Sequence, residues 1–175
     1  MISVFSFNKT CFEGFLPHLL KLLTPHEQYL VKQLAFPYLQ SERIFSFSIL
    51  KILISEILEV TMDKFRIVRF RGKKPYLQAF LKNSLEFNVS HSGDYLFFVF
   101  SKDYPVGIDI EKISPLFDRE RIVKDHFSNK EQSYLATAPN ISECNSRFFS
   151  IWCKNEAYLK GKGEGLIGSL SSVDT

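Results

Sequence analysis

Cysteine is scarce: Cys11, Cys144 and Cys153 are an odd number with no metal-ligand spacing among them. Long hydrophobic runs are missing too. The longest, around residues 48 to 58, is interrupted by Lys51, Ser55 and Glu56, which excludes a segment able to span a bilayer. The first residues, MISVFSFNK, lack the basic stretch of a secretory signal, so a cytoplasmic compartment is expected. Nor does one sign of charge dominate. A net charge of +3 suits anionic ligands but falls short of the basic balance of a dedicated nucleic-acid binder. What remains is an ordinary globular composition, 45% hydrophobic over 175 residues, enough for one compact unit or two small fused ones.

The stretch PVGIDIEK, residues 105 to 112, alternates as a strand does. Val106, Ile108 and Ile110 point one way, while Gly107, Asp109 and Glu111 point the other. Two carboxylates about 6–7 Å apart repel by about 2–3 kcal/mol at an effective dielectric of about 20. A hard divalent cation would offset that repulsion. The alternative is an edge strand whose polar face is solvated.

A repeat runs through the chain. Glu27 and Glu131, Gln28 and Gln132, Arg43 and Arg147, Phe45 and Phe149, and Ser46 and Ser150 all coincide at an offset of 104. Each half reads as a strand (2 to 8; 106 to 112), a short helix capped by Thr24 or Ser128, and a long helix (about 42 to 59; about 145 to 161). Apolar stripes run along the long helices, Ile49, Leu50, Leu53, Ile57 and Leu58 on one and Phe148, Phe149, Ile151, Trp152 and Leu159 on the other. Residues 65 to 70, 86 to 90 and 95 to 101 read as further strands between turn signals. The expected fold is α+β, two pseudo-twofold-related lobes over residues 1–104 and 105–175, the second apparently truncated because it ends at Thr175, the counterpart of Arg71. A ligand cleft is expected between the lobes. Counting back 104 from Asp109, Glu111 and Glu156 gives Phe5, Phe7 and Ile52, so these carboxylates belong to the second copy alone.

Three further groups carry chemistry. Glu156 sits four residues after Trp152 and four before Lys160, on the flank of the apolar stripe, where it either faces inward or forms an exposed pair with Lys160. FNVSHSG places Ser90 and His91 at a strand end, and RFRGKKPYL gathers Arg69, Arg71, Lys73 and Lys74, a phosphate site or a solvated basic turn. In this order, GKKPYL, FNVSHSG, VGIDIEK, HFSNKEQSYL and WCKNEAYLKGKGEGL resemble the 4′-phosphopantetheinyl transferases of the surfactin-synthetase type, over roughly residues 24 to 166.

That resemblance implies a pseudo-twofold α+β enzyme that moves phosphopantetheine from coenzyme A, its co-substrate, to a serine of an apo acyl or peptidyl carrier protein, using Mg²⁺. Carried over, Asp109, Glu111 and Glu156 hold the metal. Glu156, or a water it orients, accepts the serine proton, and Lys160 lies near the transferring phosphate. Arg43, Lys74, Ser90 and His91 contact coenzyme A. A monomer with no nucleic-acid or membrane partner is implied. Relatives usually read Trp-x-x-Lys-Glu, whereas here Asn155 precedes Glu156. If a lysine there stabilises the anionic cofactor, Asn155→Lys tightens coenzyme A binding; if Asn155 serves a local hydrogen bond, it does not. The rival reading is a non-catalytic relative that keeps the fold and an interaction with coenzyme A or the carrier.

Overall fold

The computed structural model describes residues 1–70, 73–79, 85–115 and 118–163, and its architecture is α+β. Three strands rich in Phe and Val form an antiparallel sheet in the order β1-β5-β4. These are β1 (Ile2–Asn8), β4 (Glu86–Ser92) and β5 (Tyr95–Ser101). A two-residue turn joins β4 to β5, and Gly93 takes φ of 56° there, a conformation that glycine adopts without a Cβ penalty. Phe87, Leu96, Phe98 and Phe100 are each 1% exposed or less, which fixes the buried face of this sheet. Burying one such ring fully contributes about 1.5–3 kcal/mol.

Residues of the long helix α3 (Pro37–Leu58) complete this core with Phe45, Ile49, Leu50, Leu53 and Ile54. Its start precedes the expected one because Pro37 suits a first helical turn, ahead of the apolar stripe. α1 (Leu16–Lys21) packs against it, and α2 (Pro25–Lys32) follows. A separate two-stranded pair joins β2 (Phe65–Val68) to β3 (Tyr76–Ala79). The second half adds α4 (Arg119–His126), α5 (Asn129–Ala136) and α6 (Ile141–Lys162). Phe127, Leu135, Phe148, Phe149 and Ile151 form a second core there, with the Phe127 and Phe148 rings stacked at 5.2 Å.

Local constructions recur at the offset of 104. Thr24 and Ser128 each close a capping box with the glutamate three residues on, Glu27 and Glu131. Gln28 donates to the Leu23 carbonyl, as Gln132 does to that of Phe127. Both long helices have 22 residues, beginning at 37 and 141.

Residues 106 to 112 correct one expectation: the segment joins no sheet ladder. Its N–H groups instead donate to side chains of β4. Ile108 bonds Asn88 Oδ1 at 3.0 Å, Ile110 bonds Ser90 Oγ at 3.3 Å, and Lys112 bonds Ser92 Oγ at 2.8 Å. Alternation along β4 sends residues 88, 90 and 92 to one face, so the three acceptors match the period of the segment they hold. Among the described residues, no helix is long and apolar enough to cross a membrane.

Candidate active site

Asp109 is carried into a buried position by those side-chain bonds, its side chain only 4% exposed. Its Oδ1 accepts from Lys160 Nζ at 2.5 Å and from Ser90 Oγ at 2.9 Å. Lys160 also reaches Ser90 Oγ at 3.2 Å. One turn back on α6, Glu156 is buried at 7% exposure. Burial pushes its carboxyl above the usual value of 4.5; Lys160 opposes that, and the charges of Asp109 and Glu111 add to it. Lys160, Asp109 and Glu111 are therefore all close enough to act on Glu156 electrostatically.

Two carboxylate oxygens here, Asp109 Oδ2 and Glu156 Oε1, are buried without a hydrogen-bond partner. Such orphans are costly unless something charged or hydrogen-bonding meets them. Glu111 differs: it is exposed, and its Oε2 accepts from Ser92 Oγ at 3.3 Å. Among the described residues, no three His, Cys, Asp or Glu side chains are gathered into a metal-ligand set. Two orphaned carboxylate oxygens nonetheless fit Mg²⁺, which takes one or two protein carboxylates and leaves its other positions to waters and phosphates. Cys153 also belongs to this site, with its thiol pushed up to about 12 by burial and by the charges of Asp109 and Glu111. Sequence reading passed over it, although it lies one helical turn before Glu156.

On the other face of β4, Val89 and His91 line a cavity of about 350 Å³ with Arg43, Phe47, Arg69 and Lys73. The Arg69 guanidinium lies 3.7 Å from the centre of the Phe47 ring, and His91 Nδ1 is 3.2 Å from Glu42 Oε1. Expected ligand residues thus divide between two places. Arg43 and His91 are in the cavity, whereas Ser90 stands with Asp109 and Lys160. Lys74 Nζ is bonded to Glu86 Oε2 and the Val106 carbonyl, each at 3.0 Å, while its neighbour Lys73 lines the cavity. Arg71 and residues 164 to 166 of the last motif lie outside the described residues.

Asn155 faces neither place. It is fully buried, and its Nδ2 donates to Glu131 Oε1 at 3.0 Å, tying α6 to the capping carboxylate of α5. At the same offset, Lys51 pairs with Glu27 at 3.2 Å. The structure thus gives Asn155 the local hydrogen bond that one of the two readings expects. Asn155→Ala is expected to cost about 1–3 kcal/mol of stability by leaving Glu131 short of a donor. Asn155→Lys is expected to leave coenzyme A affinity within about twofold, a change under about 0.5 kcal/mol. Denaturant titration and calorimetry check the two; a fivefold tighter affinity in the lysine variant would restore the cofactor role.

Residues 105–175 match the family model described as the 4′-phosphopantetheinyl transferase superfamily, and residues 12–102 match that of 4′-phosphopantetheinyl transferase, N-terminal. The chain is 33% identical over 100 residues to the 4′-phosphopantetheinyl transferase gsp of Aneurinibacillus migulanus, covering 57% of this chain and 40% of that protein. Against the 4′-phosphopantetheinyl transferase Sfp of Bacillus subtilis (strain 168) it is 38% identical over 86 residues, 49% of this chain and 37% of the relative. A longer match, 27% over 152 residues, is to the L-aminoadipate-semialdehyde dehydrogenase-phosphopantetheinyl transferase of Rattus norvegicus, 82% of this chain and 49% of that one. The chain therefore spans half or less of the length of these relatives. Among solved structures, the holo-[acyl-carrier-protein] synthase of Helicobacter pylori in complex with coenzyme A covers 57% of this chain and 97% of its own at 21% identity and a TM-score of 0.43, too distant a likeness to carry an argument.

Proposed function

Because this chain belongs to the 4′-phosphopantetheinyl transferase superfamily, we propose that it transfers phosphopantetheine from coenzyme A to a serine of an apo acyl or peptidyl carrier protein. The observation that carries the reading is the meeting of Asp109, Glu156 and Lys160 with two orphaned buried carboxylate oxygens, one strand away from a cavity lined by Arg43, Arg69, Lys73 and His91. We read the two halves, 1–104 and 105–175, as related α+β lobes with this site between them.

In the reaction, the carrier's serine oxygen attacks the phosphorus bearing pantetheine. A phosphodiester forms, and the bond to the second phosphate breaks, releasing the adenosine bisphosphate. Asp109 and Glu156, with Glu111 alongside, would hold Mg²⁺, which when bound neutralises charge on the pyrophosphate. Glu156, or a water it orients, accepts the serine proton. Lys160 places an ammonium beside the transferring phosphate, and its bond to Asp109 fixes that charge before substrate arrives. Ser90 steadies both through its hydroxyl. Arg43, Arg69, Lys73 and His91 receive the anionic nucleotide end.

Incubation of the protein with coenzyme A, Mg²⁺ and apo carriers, followed by intact-mass measurement, tests the proposal. A mass gain of one phosphopantetheine on the carrier is expected; coenzyme A binding without any transfer would favour the non-catalytic rival. Arg43→Ala is expected to raise KM for coenzyme A about five- to thirty-fold, the loss of one charge-assisted contact, with kcat little changed. Steady-state kinetics reads this, and an unaltered KM would remove Arg43 from the cofactor site.

A further inference from the structure

Gly107 lies two residues before Asp109, and there is no room on it for a side chain. A Cβ at this position would sit 1.9 Å from the Ala157 carbonyl oxygen and 2.4 Å from the Gly161 nitrogen, both backbone atoms of α6. A Cβ on Gly161 would in turn stand 3.3 Å from the Gly107 nitrogen. Gly107 does not occupy the left-handed region, so the requirement is for space and not for an unusual φ. Here the extended segment and the helix touch backbone to backbone. The helix residues touched, Ala157 and Gly161, each follow directly on a charged residue of the site, Glu156 and Lys160.

We propose that Gly107 is a positioning residue for the transfer: its contact with Ala157 and Gly161 sets the distance at which Asp109 meets Lys160 and Glu156. The inference rests on the functional reading above. Two anchors act on the segment in different directions. The side-chain oxygens of Asn88, Ser90 and Ser92 fix its register along β4, and the glycine contact fixes its approach to α6. A clash with backbone atoms at 1.9 Å cannot be relieved by a rotamer change, so a methyl at 107 must push segment and helix apart. The Lys160–Asp109 contact, at 2.5 Å, is the first to open.

Gly107→Ala is expected to lower kcat about 100-fold per folded molecule, the scale of a misplacement of about 1 Å. KM for coenzyme A should stay within about threefold, because Gly107 does not line the Arg43 cavity. Gly161→Ala is the milder case. It should lower kcat about five- to tenfold while thermal stability holds or rises, since alanine is the better helix former. A role confined to stability would not give that opposite movement. Gly14→Ala, where a Cβ meets nothing within 4 Å, is the control. A crystal structure of Gly107→Ala should show Asp109 and Lys160 out of hydrogen-bond reach. Overturning results are a kcat within about threefold of wild type in that variant, or the ion pair intact in its crystal structure. If Gly107→Ala does not fold, undiminished kcat in Gly161→Ala overturns the proposal. Should the wild-type protein transfer nothing, the functional reading fails by itself, and the crystallographic separation still decides the role of Gly107.

Discussion

Glu156→Gln is expected to reduce the transfer rate at saturating coenzyme A by about 10²–10⁴-fold, the contribution of a positioned proton acceptor. The substitution keeps the shape of the side chain and removes its charge and basicity. Stability should hold or improve. A buried carboxylate held above its usual pKa, with one oxygen lacking any partner, does not favour the fold. Single-turnover kinetics and thermal unfolding on the same sample separate the two effects. A Glu156→Gln variant that is both slow and unstable would make Glu156 a structural residue.

A loss of similar size is expected from Asp109→Ala, about 10²–10³-fold in kcat, the scale of removing one preorganised electrostatic group. The cause differs. Asp109 holds the Lys160 ammonium in place and presents an orphaned buried oxygen beside Glu156, so its removal frees the lysine and takes away half of the candidate cation site. Dependence of the residual rate on Mg²⁺ should weaken with it. The fold should tolerate the change, because Ser90 Oγ still accepts from the Ile110 N–H and Lys160, 31% exposed, can turn to water. Titration of Mg²⁺ against rate checks this. Full activity in Asp109→Ala at limiting Mg²⁺ would sink the assignment.

How far the sequence could be read depended on whether a signal was local. The short helices were legible because a Thr or Ser three residues before a Glu is a self-contained capping device. The apolar stripe announced α6 but not its first turn, where Ile141 is exposed and the helix begins at the Asn140 cap. α4 went unforeseen, since RERIVKDH is too charged to show a stripe. For residues 106 to 112 the alternation was visible, but their hydrogen-bond partners are side chains twenty residues back in the chain. The same limit applies to Lys74, bonded to Glu86 and the Val106 carbonyl. For Asn155 the sequence carried half of the answer: the offset of 104 pairs it with Lys51 just as it pairs Glu131 with Glu27, but only the structure shows that each pair's members meet.

The most direct test of the account is one single-turnover experiment, with labelled phosphopantetheine on coenzyme A, Mg²⁺ and an apo carrier, run side by side with wild-type protein and Glu156→Gln. The account predicts stoichiometric label on the carrier serine with the wild type, and a rate about 10²–10⁴-fold lower with the variant at saturating coenzyme A. Equal rates from the two proteins, or label that never leaves coenzyme A in either, would contradict it.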